Sequence, residues 1–185
     1  MPDFTLQYLD GLPKIPNELV PEIYQSLNEK NFFVERTATT YTIHPSLPNA
    51  NLYTRNLLYK YTNDEKWLDK TQSTIAVQKL IPGPSRIHAD VYRELAYNYI
   101  VDCGGDAVAT CFYNDDRSPL VEHIIQPHRW HLLNVDVLHN VKNITGTRIA
   151  ITAFINADNR SQLSRNFPEL FAGQASDTGM NVSGK

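Results

Sequence analysis

The chain has 185 residues, the size of one domain able to close a core without disulfide staples. Hydrophobic residues make up 42% and charged residues 20%, which excludes wholesale disorder. A formal charge of −3 gives no basic field to hold phosphate backbones, so nucleic acid is not expected as a partner. No apolar run approaches the ~20 residues of a membrane span, so no membrane partner is expected either. The opening Met-Pro-Asp-Phe-Thr lacks the basic start and apolar stretch of a signal peptide. Two cysteines, Cys103 and Cys111, make no disulfide framework. Reduced thiols in a cytoplasmic protein are the expectation.

Along the chain, Asn17 is placed to cap a short helix whose apolar positions Leu19, Ile23 and Leu27 recur every four residues. Pro21 falls in its first turn, where the missing N–H costs little. Residues 32–43, rich in β-branched and aromatic side chains, read as extended. Residues 45–62, with Pro45, Pro48 and several Asn, read as a long loop and as part of a pocket mouth. Asn63-Asp64-Glu65 before Trp67 and Leu68 reads as a capped short helix.

From Thr74 the texture changes. Segments 74–81, 85–90, 93–102, 106–113, 119–126, 129–138 and 147–156 read as short strands. Turn signals separate them, among them Pro82-Gly83-Pro84, Gly104-Gly105, Asn114-Asp115-Asp116 and Thr145-Gly146. No room is left for crossover helices, so a parallel α/β sheet is excluded and an antiparallel sandwich or jelly-roll barrel is predicted. The domain plan is a supporting region over 1–73, a core over 74–156, and a C-terminal segment over 157–185. That last segment holds one apolar turn at 167–171 and then frays.

His88-Ala89-Asp90 sets an imidazole and a carboxylate two residues apart, on one face of a strand. Alone this is a weak signal, since a surface His–Asp pair has the same spacing. His139, at the end of the apolar run 132–138, adds a third donor. Two His and one carboxylate leave three metal positions open, a geometry suited to non-haem Fe(II) oxygen chemistry. Arg148 begins the strand that runs to Ile155 and offers a planar fork for a carboxylate. A surface partner such as Glu94 or Asp136 is the competing use of that arginine. If Arg148 points inward, Ala150, Thr152 and Phe154 share its face.

With those residues in place, the sequence resembles the Fe(II)- and 2-oxoglutarate-dependent dioxygenase superfamily. The resemblance rests on His88-x-Asp90, His139 and Arg148 set in a run of short strands, and on the segment 133–143 around the distal histidine. It covers roughly residues 74–156. It is closest in kind to the prolyl-hydroxylase-like and aspartyl/asparaginyl-hydroxylase-like branches, and to small proteins of this type in phages and marine bacteria. One departure matters. The iron site of the aspartyl/asparaginyl branch lacks the carboxylate that Asp90 supplies, so that branch's substrate is not carried over.

The resemblance implies a mainly β fold, a double-stranded β-helix or cupin-like jelly-roll barrel with short N-terminal helices. It implies an oxidoreductase with His88, Asp90 and His139 as iron ligands and catalytic centre. Arg148 would hold the far carboxylate of 2-oxoglutarate, helped by Asn98 and Tyr97. Decarboxylation of that cosubstrate to succinate would accompany hydroxylation of a small-molecule or peptide substrate by molecular oxygen. A non-catalytic jelly-roll binding protein is the alternative. Asn134 and Asn143 are candidates to brace His139, and Arg86 and Arg93 to touch substrate. His128 and His131 are expected at solvent or rim positions, and His44 and His123 carry no assignment.

Overall fold

Two antiparallel sheets face each other, and helices cover the outer side of the larger one. The computed structural model describes residues 4–27, 33–36, 39–44, 47–83, 85–91 and 93–156. The apolar turn and frayed tail expected beyond residue 156 lie outside them. Described elements run in the order β1 (Leu6–Tyr8), α1 (Val20–Ser26), β2 (Phe33–Arg36), β3 (Thr39–His44), α2 (Pro48–Thr62), β4 (Ser73–Leu80) and β5 (Leu95–Asp102). They continue with β6 (Ala109–Tyr113), β7 (Pro119–Ile124), β8 (Trp130–Asn134), β9 (Leu138–Lys142) and β10 (Arg148–Ile155). The large sheet has the order β1-β8-β5-β10-β4-β3-β2 and the small one β7-β6-β9. Neighbours in space are mostly distant in sequence, as in a double-stranded β-helix, the mainly β fold that the sequence predicts.

β10 is the central strand. It pairs with β4 over its whole length and with β5 on its other side, with an irregularity between Ile149 and Ala150. Its side chains alternate between two buried faces. Ile149, Ile151 and Ala153 join Ile23 of α1, Leu58 of α2, Trp67 and Trp130 in one apolar core. Ala150 instead meets Ile100 and Ile125 on the side of the small sheet. Trp130 satisfies its indole by donating to the Pro13 carbonyl at 3.0 Å.

Several expectations change. Residues 48–62 form a helix, not a loop. Pro48 stands in its first turn, where a fixed φ suits a helix start. Ala50, Thr54 and Leu58 recur at four-residue spacing and are buried on the sheet. Asn63, left-handed at φ 54, ends it by donating its N–H to the Tyr59 carbonyl at 2.7 Å. This helix covers the face of the large sheet away from the small sheet, so it builds no mouth between them. Asn17 makes no side-chain cap; a 3-10 turn over Asn17–Leu19 leads into α1. The expected strand 129–138 is two strands, β8 and β9, with a turn at 135–137 that carries Asp136. Among the described residues no helix is long and apolar enough to cross a membrane.

Candidate metal centre

Residues 85–91 run beside β9 without forming a regular strand. Pro82 and Pro84 remove two N–H donors just before them. Ser85 ties the segment down: its Oγ accepts from the Val141 N–H at 3.1 Å, and its carbonyl accepts from Asn140 Nδ2 at 3.1 Å. Tyr113 Oη donates to Asn140 Oδ1 at 3.0 Å and holds that amide in place. Three residues on, His88 and His139 exchange both backbone hydrogen bonds, at 3.0 and 2.7 Å. Directly opposed residues of an antiparallel pair point to one face, and the two imidazoles meet with centroids 4.7 Å apart. Asp90, two residues on, shares that face, and its N–H donates to the Val135 carbonyl at 2.8 Å. One ligand atom from each of His88, Asp90 and His139 lies within 4.8 Å of the others.

The protonation pattern suits a cation. His88 Nδ1 is 2.9 Å from the Arg86 carbonyl, and His139 Nδ1 is 2.9 Å from the Val137 carbonyl. A carbonyl only accepts, so each Nδ1 carries a proton and Nε2 is the ring atom left to serve a metal. His88 Nε2 then stands 3.4 Å from Asp90 Oδ1. A proton or a cation between them satisfies both atoms. The other Asp90 oxygen is held by Arg93 Nε at 2.6 Å. The Arg93 guanidinium itself lies over Phe154, with Cζ 4.4 Å from the ring centroid.

Burial works to raise the Asp90 carboxyl, but Arg93, the contact with His88 and the charge of His139 together outweigh it. The carboxyl is held well below the usual range and stays ionised. Burial, reinforced by His88, pushes His139 down to about 4, so its imidazole is neutral at physiological pH. Asp90 and His139 are each 8% exposed, whereas 29% of the His88 side chain is exposed. The centre therefore opens on the His88 side. The donor set is hard-to-borderline nitrogen and oxygen, with one carboxylate and two imidazoles on one face, and it fits a divalent transition metal. The imidazoles are already braced through Nδ1, as metal-bound histidines are.

Arg148 is 4% exposed and lies on the face of β10 turned to the small sheet. The glycine turn before it fixes where β10 starts. A Cβ on Gly104, at φ +75, would sit 2.8 Å from the Arg148 backbone nitrogen. The Gly104 carbonyl accepts from the N–H groups of Thr145 and Gly146 at 2.9 and 2.7 Å. On the same inward face, cross-strand register sets Thr152 beside Asn98 and Asn98 beside His131.

Tyr97 differs from its neighbour Asn98. Strand alternation turns it to the helix-covered side, where its ring meets Trp67 edge-on at 5.4 Å. It lies on the opposite side of the sheet from Arg148. Asn143 donates to the Ala107 carbonyl at 3.1 Å and braces a turn, not His139. Arg93 holds Asp90, a role the sequence does not announce. His131 is fully buried, not at a rim. The signal for it is the run Trp130-His131-Leu132-Leu133, apolar on both faces, which leaves no solvent side for His131. Cys103 and Cys111 do not meet: Cys103 lies just past β5 in the large sheet, and Cys111 is on β6 in the small one.

Solved structures share this architecture. A prolyl-4-hydroxylase from Pseudomonas putida aligns at TM-score 0.54 and 14% identity, over 85% of this chain and 95% of its own. A prolyl hydroxylase from Trichoplax adhaerens, solved with a hypoxia inducible factor peptide fragment, aligns at 0.56 and 12% identity over 86% of each chain. An oxidoreductase of the 2OG-Fe(II) oxygenase family from Burkholderia pseudomallei aligns at 0.51 and 10% identity, over 77% and 81%. No protein-family model matches the sequence, and no curated protein matches it. The chain thus has the double-stranded β-helix fold of the Fe(II)/2-oxoglutarate oxygenases. At these identities the likeness defines the fold, and the chemistry has to be argued from the residues.

Proposed function

We propose that the protein is an Fe(II)- and 2-oxoglutarate-dependent oxygenase that hydroxylates a small-molecule or peptide substrate. The observation that carries this reading is the convergence of His88, Asp90 and His139 on one point, with Asp90 held ionised and His139 held neutral. When bound there, Fe(II) with 2-oxoglutarate and molecular oxygen would supply oxidative chemistry in which one oxygen atom ends in succinate, formed with loss of carbon dioxide, and the other in the hydroxylated substrate.

The chain's own residues do the rest. His88 and His139 offer Nε2 while their Nδ1 protons stay with carbonyl partners, so the rings are held at a fixed angle. Asp90 offers Oδ1, and Arg93 keeps Oδ2 occupied. Arg148, on the inward face of β10, would pair with the distal carboxylate through its planar fork. Asn98 and Thr152 would line the same space, and Phe112, with its ring centroid 5.9 Å from that of His139, walls the centre with apolar surface that excludes water. The exposed flank of His88 is where substrate would approach. The Trichoplax protein binds a peptide in its own complex, which makes a peptide side chain one substrate class to test.

The test is succinate formation by purified protein with Fe(II), ascorbate and 2-oxoglutarate, with and without candidate substrates. Uncoupled succinate release above the level of His139→Ala is the expected result. Metal uptake without 2-oxoglutarate binding or succinate would move the non-catalytic binding reading ahead.

A further inference from the structure

The space between the two sheets contains a histidine that the proposed metal centre does not use. His131 lies on β8, is 0% exposed, and neither ring nitrogen makes a hydrogen bond of normal geometry among the described residues, although the Arg129 backbone stands close enough to favour the protonated ring slightly. Register puts it abreast of Asn98 and Thr152, both 5% exposed, on the inward face of the large sheet. On β6 of the facing sheet, Thr110 is also fully buried, and its hydroxyl has no partner there. Buried polar atoms are nearly always satisfied, and each orphan costs free energy that an apolar side chain would avoid. A dry structural core at this point would be better built from Leu or Val. The polar row is instead the lining of a site whose ligand completes it.

We propose that His131 is a positioning residue for the cosubstrate: a neutral imidazole that donates a hydrogen bond to the distal carboxylate of 2-oxoglutarate beside Arg148. This rests on the oxygenase reading above and adds a residue to it. Burial, and then the nearby charge of Arg148, push the imidazole down to about 3, so at neutral pH it holds one N–H and one lone pair. Arg148 supplies charge and a fork, and His131 supplies a second direction of approach. A carboxylate has about four acceptor sites, so both can be used at once. A ligand that ends in a methyl group could satisfy neither.

The experiment compares two 2-oxo acids on metal-loaded protein under anaerobic conditions. One is 2-oxoglutarate. The other is 2-oxopentanoate, which has the same chelating end and a methyl in place of the distal carboxylate. Binding is read by calorimetry and by the visible charge-transfer absorption of the Fe(II) chelate. His131→Leu should weaken 2-oxoglutarate by about ten-fold or more, the loss of one hydrogen bond to a charged group. Its affinity for 2-oxopentanoate should stay within about two-fold of the parent, since that acid never used the contact. Metal-free His131→Leu should melt no lower than the parent, because the change removes orphaned polar atoms; a merely structural histidine predicts the opposite. His131→Gln returns a donor and should recover part of the loss. Should the Leu variant fail to fold, His131→Met carries the same comparison. Unchanged 2-oxoglutarate affinity, or equal losses on both acids, overturns the proposal. A parent that binds neither acid overturns the oxygenase reading along with it, whereas a parent that binds both with an indifferent variant overturns this inference alone.

Discussion

The two faces of the seven-stranded sheet are made by the same strands and have opposite chemistry. Toward the helices, β10 presents Ile149, Ile151 and Ala153 to Ile23, Leu58 and Trp67, and every buried indole there can be traced to packing or a hydrogen bond. Toward the small sheet, the same strand presents Arg148, Ala150 and Thr152, in a row with Asn98 and His131. One face is filled by its own side chains, with the Thr54 hydroxyl of α2 as a buried group there that has no partner among the described residues. The other keeps buried polar groups whose partners are incomplete. On the proposed function, stability is concentrated on the first face and recognition on the second, and the pleat of a strand, with its period of two, lets adjacent residues serve either.

The strongest way to break this division is at the metal centre. His139→Ala removes a ligand that the Val137 carbonyl had oriented and leaves the helix-side core untouched. Metal content by elemental analysis should fall from about one Fe(II), Mn(II) or Co(II) per chain to background, with circular dichroism unchanged. Retained metal would remove His139 from the centre.

A pair of truncations on opposite faces separates stability from recognition. Leu58→Ala, on the helix side, should cost about 2–5 kcal/mol of unfolding free energy. 2-Oxoglutarate affinity per folded molecule should be unaltered. Arg148→Ala should do the reverse for the ligand, losing ~2–5 kcal/mol of 2-oxoglutarate binding, roughly thirty-fold or more. Arg148→Lys keeps the charge without the fork and should fall between. Iron binding should survive both arginine changes, since Arg148 is not a ligand. Calorimetric titration against chemical denaturation reads the two axes separately. If both truncations move both axes equally, the two faces are one ordinary core.

Acid reads the inward face on its own. The folded pKa of His131 is about 3 against an ordinary value of 6.5, lowered by burial and then by Arg148. The unfolded chain therefore binds the proton first. Stability present above about pH 6.5 is lost as pH falls toward 3, with a slope of about 1.4 kcal/mol per pH unit for this one group. Melting of metal-free protein between pH 7 and 5 should show that decline, and His131→Leu should flatten it. An unchanged slope in the variant would assign the acid sensitivity elsewhere, His139 being the other buried imidazole held low.

Much of the inward face is legible in the sequence because it is local. His88-x-Asp90 needs only the two-residue period of an extended chain, and β10 announces itself by eight residues of strand pattern. What is not local is harder to read. The pairing of His88 with His139 depends on Ser85 and Asn140 clamping an irregular segment to β9. α2 hides because its buried stripe, Ala50, Thr54 and Leu58, contains a single large apolar side chain, Leu58, and because Pro and Asn suggest a loop. The turn between β8 and β9 hides because Val135-Asp136-Val137 alternates like a strand and carries no Gly or Pro. His131 reads as rim when it is taken alone as a polar residue. Its burial follows only once both faces of β8 are known to be covered.

The smallest expected effect is the sharpest test of the pleat. Tyr97 and Asn98 are adjacent, and a ligand-binding role for both would need them on one face. Tyr97 instead packs edge-on against Trp67, beneath α2. Tyr97→Phe keeps the ring and removes only the hydroxyl, so 2-oxoglutarate affinity should change by less than about two-fold and stability by no more than about 1 kcal/mol. Thr152→Leu, directly across from Asn98, fills the inward space with a larger side chain. It should weaken 2-oxoglutarate binding several-fold while the ligand-free protein melts close to the parent. A loss of affinity in Tyr97→Phe as large as that in Thr152→Leu would mean that the cosubstrate reaches both sides of the sheet. No carboxylate held by Arg148 from the inward face can do that, so such a result would unseat Arg148 as well as the division between the faces.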